Sequence, residues 1–321
     1  MASFPGTESS DTQAIEKAAT VIADAASEEP RLAQSAPREL LRYVPGKRMV
    51  LRGEMGGTPA IFRIYANAPD ACARNWAELR RIWPLMNDGS AQVCRPLACA
   101  PQAGVLVTAD VPGTPLLKLL WNSEPSHRAA WLAPAARWLR TYTDCSETDQ
   151  PATPEGWATR AARAASEQAF TRLRKLERRI LAEIERLVPL IEDSRWRVAI
   201  GHGDFHPNNL LAGDHPALTG IDCGGSRSFP IYKDMARFLM HMGRRGMIPS
   251  GDRFLGVDRA GLTEFSDAFD LTDRERELIL PFFLAVEALI RVETRGLSKS
   301  RVRHARAMSE ALLEDLRSVA R

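Results

Sequence analysis

The sequence predicts an α+β fold in which a small β-rich N-terminal lobe precedes a larger helical C-terminal lobe. Three observations predict it. Short apolar runs broken by Gly and Pro crowd residues 40–65. The texture turns helical after Val111-Pro112-Gly113-Thr114-Pro115. The residue balance is that of a globular chain: 321 residues, 45% hydrophobic and 26% charged, which excludes whole-chain disorder and collagen-like sequence.

The elements follow in order. Residues 1–37 form an N-terminal extension in which 11–27 has helical spacing with an Asp near its start, so a short helix is expected there. Leu40–Val44, Arg48–Arg52 and Ala60–Tyr65 read as three strands joined by Pro45-Gly46 and Gly56-Gly57 turns, an antiparallel meander. Residues 70–86 are helical, with Trp76, Leu79 and Trp83 on one stripe. Gln92–Ala98 and Val105–Val111 complete a 38–111 lobe. Residues 112–321 make the helical lobe: an amphipathic segment at 126–145, a polar loop at 146–156, and a long helical stretch at 157–190. That stretch is rich in opposite charges three or four apart. Two short apolar runs, VAIG and LTGID, interrupt the helices between 198 and 222. The apolar stretch Leu278–Ile290 is too short to cross a bilayer and reads as a buried helix.

Forty-three basic residues stand against 40 acidic ones, a net charge of +3. That is too near balance for a nucleic-acid binder or an acidic tail. Only six of the basic residues are lysines, namely Lys17, Lys47, Lys118, Lys175, Lys233 and Lys299. Five scattered cysteines without a CxxC pair make neither a disulfide framework nor a zinc ribbon and fit a reduced cytoplasm. The opening residues lack the basic start and apolar run of a signal peptide, and no membrane anchor is expected.

The chemistry is concentrated in Gly201-His202-Gly203-Asp204-Phe205-His206-Pro207-Asn208-Asn209, followed by Thr219-Gly220-Ile221-Asp222-Cys223-Gly224. Asp204 and Asn209 stand five apart in a loop between apolar runs, and Asp222 follows 18 residues after Asp204. Phosphoryl transfer from a nucleotide needs such a set: one carboxylate to align the attacking hydroxyl and take its proton, and hard oxygen ligands to hold magnesium on the phosphates. The order and inner spacing match the protein-kinase pattern His-Arg-Asp-x-x-x-x-Asn and Asp-Phe-Gly.

With these motifs, and with IDCGGS…YKDMARFL after them, the chain resembles the aminoglycoside phosphotransferase and choline kinase-like family, the small-molecule branch of the protein-kinase-like fold. The resemblance runs from roughly residue 38 to 300. It implies a two-lobed protein-kinase-like fold and an ATP- and magnesium-dependent transfer to a small-molecule hydroxyl, with GTP as a possible donor. By the same resemblance Asp204 is the catalytic base, supported by His202. Asn209 and Asp222 are the magnesium ligands, and Asp234 is a structural acid. Gly203 stands where regulated kinases carry an Arg, which speaks against control by a phosphorylated activation loop. Thr108, Asp110 and Val111 fall at the interlobe hinge, where adenine would meet backbone groups.

One position departs from the family. Its third strand carries a phosphate-holding lysine paired with a helix glutamate; here that strand reads Ala60-Ile61-Phe62-Arg63-Ile64-Tyr65, with Glu78 as the helix partner. Arg and Lys are not equivalent at such a contact. Arg63 could hold phosphate in an altered geometry, Lys47 or Arg48 at the first turn could take over, or the chain could be a weak or inactive kinase. Against the kinase reading stand a nucleotide-binding pseudokinase with a regulatory or scaffolding role, and a zinc cluster of His202, Asp204 and His206, for which His215 and His241 downstream stand in no helpful spacing. The acceptor is expected on residues 146–190 and 232–321. The slightly basic balance, and the run Arg291, Arg295, Lys299, Arg301, Arg303 and Arg306, argue against polycationic acceptors and leave neutral or anionic hydroxyl compounds. The run itself reads as a solvated helix face. The sequence sets no oligomeric state.

Overall fold

The structure is a computed structural model and describes residues 7–213, 217–291 and 296–320, with side chains from residue 11 onward. The chain divides into two compact units. The first holds the chain up to Gly113 together with Thr219–Gly225; the second holds Thr114–Leu218 and Ser226 onward.

In the first unit, helix α1 (Thr7–Ala25) leads through a 3-10 turn, Pro30–Gln34, into strands β1 (Ser35–Val44), β2 (Arg48–Met55) and β3 (Thr58–Tyr65). Helix α2 (Pro69–Ile82) follows, then β4 (Ala91–Val93), β5 (Pro96–Ala100) and β6 (Val105–Ala109). The five longer strands form an antiparallel sheet in the order β1-β2-β3-β6-β5. Gly56 and Gly57 both take positive φ in a two-residue hairpin between Met55 and Thr58. A right-twisted hairpin requires that backbone, and glycine adopts it without strain.

Alternation along β3 separates two faces. Ala60, Phe62 and Ile64 join Met49, Leu51, Val105 and Val107 in a core that also takes Ala18, Ile22, Ala25 and Leu32 from the N-terminal segment. Residues expected as an extension are therefore one wall of this core. The expected stripe on α2 is also displaced. Its buried residues are Cys72, Asn75, Glu78, Leu79 and Ile82, with Trp76 and Trp83 half-buried at the margin. Two polar residues on the buried face disguised it as the wrong stripe.

The second unit begins with β7 (Thr114–Pro115), α3 (Leu116–Asn122), α4 (Pro125–Arg128) and α5 (Leu132–Asp144). Then come β8 (Thr148–Pro151), α6 (Pro154–Ser166), α7 (Thr171–Ile191), β9 (Arg195–Gly201) and β10 (Leu210–Ala212), with β11 (Leu218–Gly220) at the boundary of the units. After β12 (Arg227–Pro230) and α8 (Tyr232–Gly243), a small hairpin of β13 (Arg253–Phe254) and β14 (Val257–Asp258) precedes α9 (Arg259–Ala268), α10 (Leu280–Ile290) and α11 (Lys299–Leu316).

Two expectations change here. The polar loop at 146–156 contains β8, an edge strand paired with β9 whose four residues are all exposed, so it carries no apolar alternation to betray it. The long 157–190 helix is two helices. Between them lies fully buried Gln168, whose amide donates to Glu177 at 2.7 Å and accepts the Phe170 amide at 3.0 Å. Leu280–Leu289 are buried throughout, as expected for that apolar stretch. Among the described residues no helix is long and apolar enough to cross a membrane.

Candidate active site

In the second unit, β9 delivers the chain into the 201–209 loop. Gly203 takes φ +84°, a backbone that a side chain would strain. Its amide donates to Asp234 Oδ2 at 3.0 Å, and its carbonyl accepts from Lys233, which also pairs with Asp234 Oδ1 at 3.0 Å. Lys233 and Asp234 are both buried at the start of α8. Gly201 is required for a different reason: a Cβ there would lie 2.5 Å from the Phe229 ring and 2.8 Å from Asp234 Oδ2. His202 is fully buried against Trp138, Tyr142 and Phe205, and its Nδ1 accepts the Asp204 amide at 3.4 Å. Asn209 Nδ2 donates to the Asp204 carbonyl at 3.0 Å. The loop's backbone is thus fixed from both ends around one carboxylate.

That carboxylate is not free. Asp204 Oδ1 accepts from Arg237 Nε at 3.1 Å and Nη2 at 3.0 Å, and from Arg291 Nη2 at 3.1 Å; Oδ2 lies 3.5 Å from His206 Nε2. Arg237 projects from the middle of α8, and Arg291 follows the end of α10. Burial acts to raise the Asp204 carboxyl. The His206 hydrogen bond and the charges of Arg237 and Arg291 outweigh it and hold the group well below the usual carboxylate range. His206 stacks on His241 with ring centroids 4.4 Å apart. Burial and the neighbouring charges of Arg245, His206 and Arg237 keep the His241 ring neutral far below its ordinary value. Sequence reasoning missed Arg237 altogether and placed Arg291 on a solvated face. The signal for Arg237 was there: it stands three residues after Asp234, one helical turn along the same face.

The first unit holds a second group. Arg63 on β3 is buried, and its Nη1 has no hydrogen-bond partner among the described residues. Burial opposes its charge, but the Asp222 carboxylate together with Cys94, Tyr65 and Cys223 outweighs it and holds the group above its ordinary value. Arg48 Nη1 lies 3.4 Å from Asp222 Oδ1. Asp222 itself takes φ +63°, an uncommon conformation for a non-glycine residue and one that recurs at functional sites. Glu78 receives both Nε and Nη2 of Arg81, at 2.8 and 2.7 Å. Gly224, two residues after Asp222, packs on α2, where a Cβ would lie 3.0 Å from Asn75 Nδ2.

Lys47 lines a cavity of about 380 Å³ with Lys17, Tyr43, Arg48, Met49 and Ile64. Thr108 is buried against the Cys94 thiol, and Asp110 pairs with Arg52 at 2.8 Å. The Asp110 amide is taken by Pro59 and that of Ala109 by Arg95. The sequence-named residues therefore fall into two sets: Arg48, Arg63, Glu78 and Asp222 in the β-rich unit, and His202, Asp204 and Asn209 in the helical one. No three His, Cys, Asp or Glu side chains among the described residues form a group that could hold a metal; His215 and Arg295 lie outside those residues.

A five-stranded antiparallel sheet with one helix, followed by a helical unit whose loop presents Asp-x-x-x-x-Asn, defines the protein-kinase-like class. Within it, the phosphotransferase enzyme family model, APH, matches residues 28–275, and the chain belongs to that family. No curated protein matches the chain in sequence. Among solved structures it is similar to choline kinase LicA from Streptococcus pneumoniae, at 13% identity and TM-score 0.53, covering 92% of this chain and 98% of that one. It is also similar to an aminoglycoside phosphotransferase from Alicyclobacillus acidocaldarius subsp. acidocaldarius, at 16% and 0.53, covering 90% and 95%. A third is a thermostable mutant of aminoglycoside phosphotransferase APH(4)-Ia in ternary complex with AMP-PNP and hygromycin B, at 13% and 0.57, covering 92% and 98%. At these identities the likenesses establish the fold.

Proposed function

We propose that the chain is an ATP- and magnesium-dependent kinase of a small-molecule hydroxyl, with Asp204 as the base. The observation that carries this reading is the 201–209 loop, in which His202, Asp234 and Asn209 fix the backbone around a fully ionised carboxylate. A fold relative that holds AMP-PNP and hygromycin B in one ternary complex supports a nucleotide donor and a small hydroxylated acceptor.

The residues present suit such a donor. Arg63 carries an unpartnered buried N–H beside Asp222, the situation of a group awaiting an oxyanion. Asp222 and the Asn209 side-chain oxygen are each hard donors of the kind magnesium takes. Bound magnesium would neutralise charge on the phosphates. Arg63, helped by Arg48, would hold phosphate oxygens in place of the usual lysine, and Asp204 would orient the hydroxyl and accept its proton. GTP would meet the same phosphate contacts. With the Ala109 and Asp110 amides engaged inside the sheet, a base docked on this segment would meet Val111 and the carbonyl groups.

Asp204→Asn is expected to lower phosphoryl transfer by about 10² to 10⁴-fold while nucleotide binding persists, measured as nucleotide consumption across a panel of hydroxylated metabolites. Unchanged turnover would sink the assignment of the base. Nucleotide binding without transfer to any acceptor would favour the pseudokinase reading.

A further inference from the structure

Two guanidinium groups on the carboxylate proposed as base raise a question about the acceptor. A hydroxyl can hand its proton to Asp204 only through a free lone pair, yet Oδ1 already accepts three N–H donors at 3.0–3.1 Å, and His206 stands at Oδ2. A carboxylate so loaded is a poor base. Loosening these contacts would make Asp204 a better base, and the arginines would then need something in exchange. Arg237 decides what that is. Its side chain is only 10% exposed, and its carboxylate partner among the described residues is Asp204. Leaving such a cation unpaired is strongly unfavourable. Arg291 has a second partner: buried Glu287 sits 4.0 Å from its Nε. At that distance, and without a hydrogen bond between the two atoms, Glu287 offsets one of the two arginines only in part. When Asp204 turns to the hydroxyl, one positive charge is left uncovered.

We infer that Arg237 and Arg291 form an acceptor subsite for an oxyanion, so that the substrate is a small hydroxy compound bearing a carboxylate or a phosphate. Asp204 occupies the anion's place until it arrives. The planar forks of two arginines suit either group, since both present paired oxygens to parallel N–H donors. The Asp204 side chain is 42% exposed and that of Arg291 40%, so a ligand can reach the cluster from solvent. A polycationic aminosugar would meet two like charges beside the carboxylate. A neutral polyol would leave Arg237 uncompensated. The inference rests on the kinase reading and names its acceptor class.

The test separates the two. Full-length protein is first saturated with magnesium and a non-transferable ATP analogue, which fills the nucleotide's own phosphate contacts. It is then titrated calorimetrically with glycerate, glycerol phosphate, glycerol and a polycationic aminosugar. At least one of the two anions is expected to bind about tenfold or more tightly than glycerol, and the preferred one distinguishes a carboxylate from a phosphate site. Arg291→Met, with its folding checked by thermal melting, is expected to remove about tenfold of that affinity, and Arg237→Lys to weaken it less than Arg237→Met. Affinity for the nucleotide analogue is expected to change by less than about twofold in each, since neither arginine belongs to the phosphate set. Anions that bind no better than glycerol, an aminosugar that outcompetes them, or an Arg291→Met protein with wild-type anion affinity would overturn the subsite and leave the kinase reading standing. A wild-type protein that binds no nucleotide would overturn both.

Discussion

At the residue scale, the legible part of the site was the part written in local spacing. Asp204 to Asn209, and Asp222 before Gly224, are short-range patterns, because a catalytic loop must present several groups within one turn of backbone. The two arginines on Asp204 were not legible in that way. They lie 33 and 87 residues downstream, one on α8 and the other just past the end of α10, and the packing of those helices brings them to the loop. Arg63 sits between these cases. Its departure from lysine was plain in sequence, but its unpartnered N–H and its closeness to Asp222 were not. Arg63→Met tests it. The buried cation contributes little to folding without an anion beyond Asp222, which keeps Arg48, so thermal melting of the nucleotide-free protein is expected to hold or rise. Nucleotide affinity is expected to fall about tenfold or more, as a charge-assisted contact to phosphate is lost. Unaltered nucleotide affinity by calorimetry would remove Arg63 from the phosphate site.

At the scale of elements, the meander β1 to β3 and helix α2 were readable because Gly and Pro punctuate them and their apolar periods are short. Errors arose where polarity and burial part company. Strand β8 is a fully exposed edge, while Asn75 and Glu78 are polar groups on a buried helix face. Helix α1 is the most consequential case. A polar, alanine-rich segment looked like an appendage, yet it lays Ala18, Ile22 and Ala25 on the sheet face formed by Met49, Leu51, Phe62 and Ile64. Small residues hide such a face in sequence because each contributes little area, though together they permit close approach. Ile22, 2% exposed, is the test position. Ile22→Asp places a carboxylate in that core and is expected to cost about 3 kcal/mol or more, read from denaturant unfolding. An exposed control such as Gln13→Ala, outside that core, should stay within about 0.5 kcal/mol of wild type.

At the scale of the whole molecule, the near-balance of charge conceals strong local organisation. Arginine dominates the basic residues, and many guanidinium groups sit in defined pairs rather than on a diffuse positive surface. One such network governs the response to acid. Burial acts to raise the Glu275 carboxyl, but hydrogen bonds from Tyr232 and Thr272 and the charge of Arg197 outweigh it and hold the group below its ordinary value of 4.5. A carboxylate with a lowered folded-state value contributes its full stabilisation above that ordinary value and loses it as pH falls through the folded one. Stability is therefore expected to decline below about pH 4.5. Glu275→Gln should be less stable at neutral pH by roughly 1–3 kcal/mol and show a shallower loss on acidification. An identical acid slope in variant and wild type, followed by chemical denaturation, would remove Glu275 from the effect. Nothing in the sequence announced this network, whose members Glu147, Arg197, Tyr232 and Glu275 come from four separated segments.

The clasp of Arg237 and Arg291 on Asp204 also bears on what happens between turnovers. A phosphoryl-transfer enzyme with an idle, open base leaks, because water is a hydroxyl compound present at overwhelming concentration and can be activated like any other. On the proposed reading, the resting base would be shut by these two guanidinium groups, and water carries no charge with which to displace them. Futile hydrolysis of the donor would then be suppressed by electrostatics. The enzyme's fidelity would then rest less on the shape of its acceptor than on one negative charge brought to the right place.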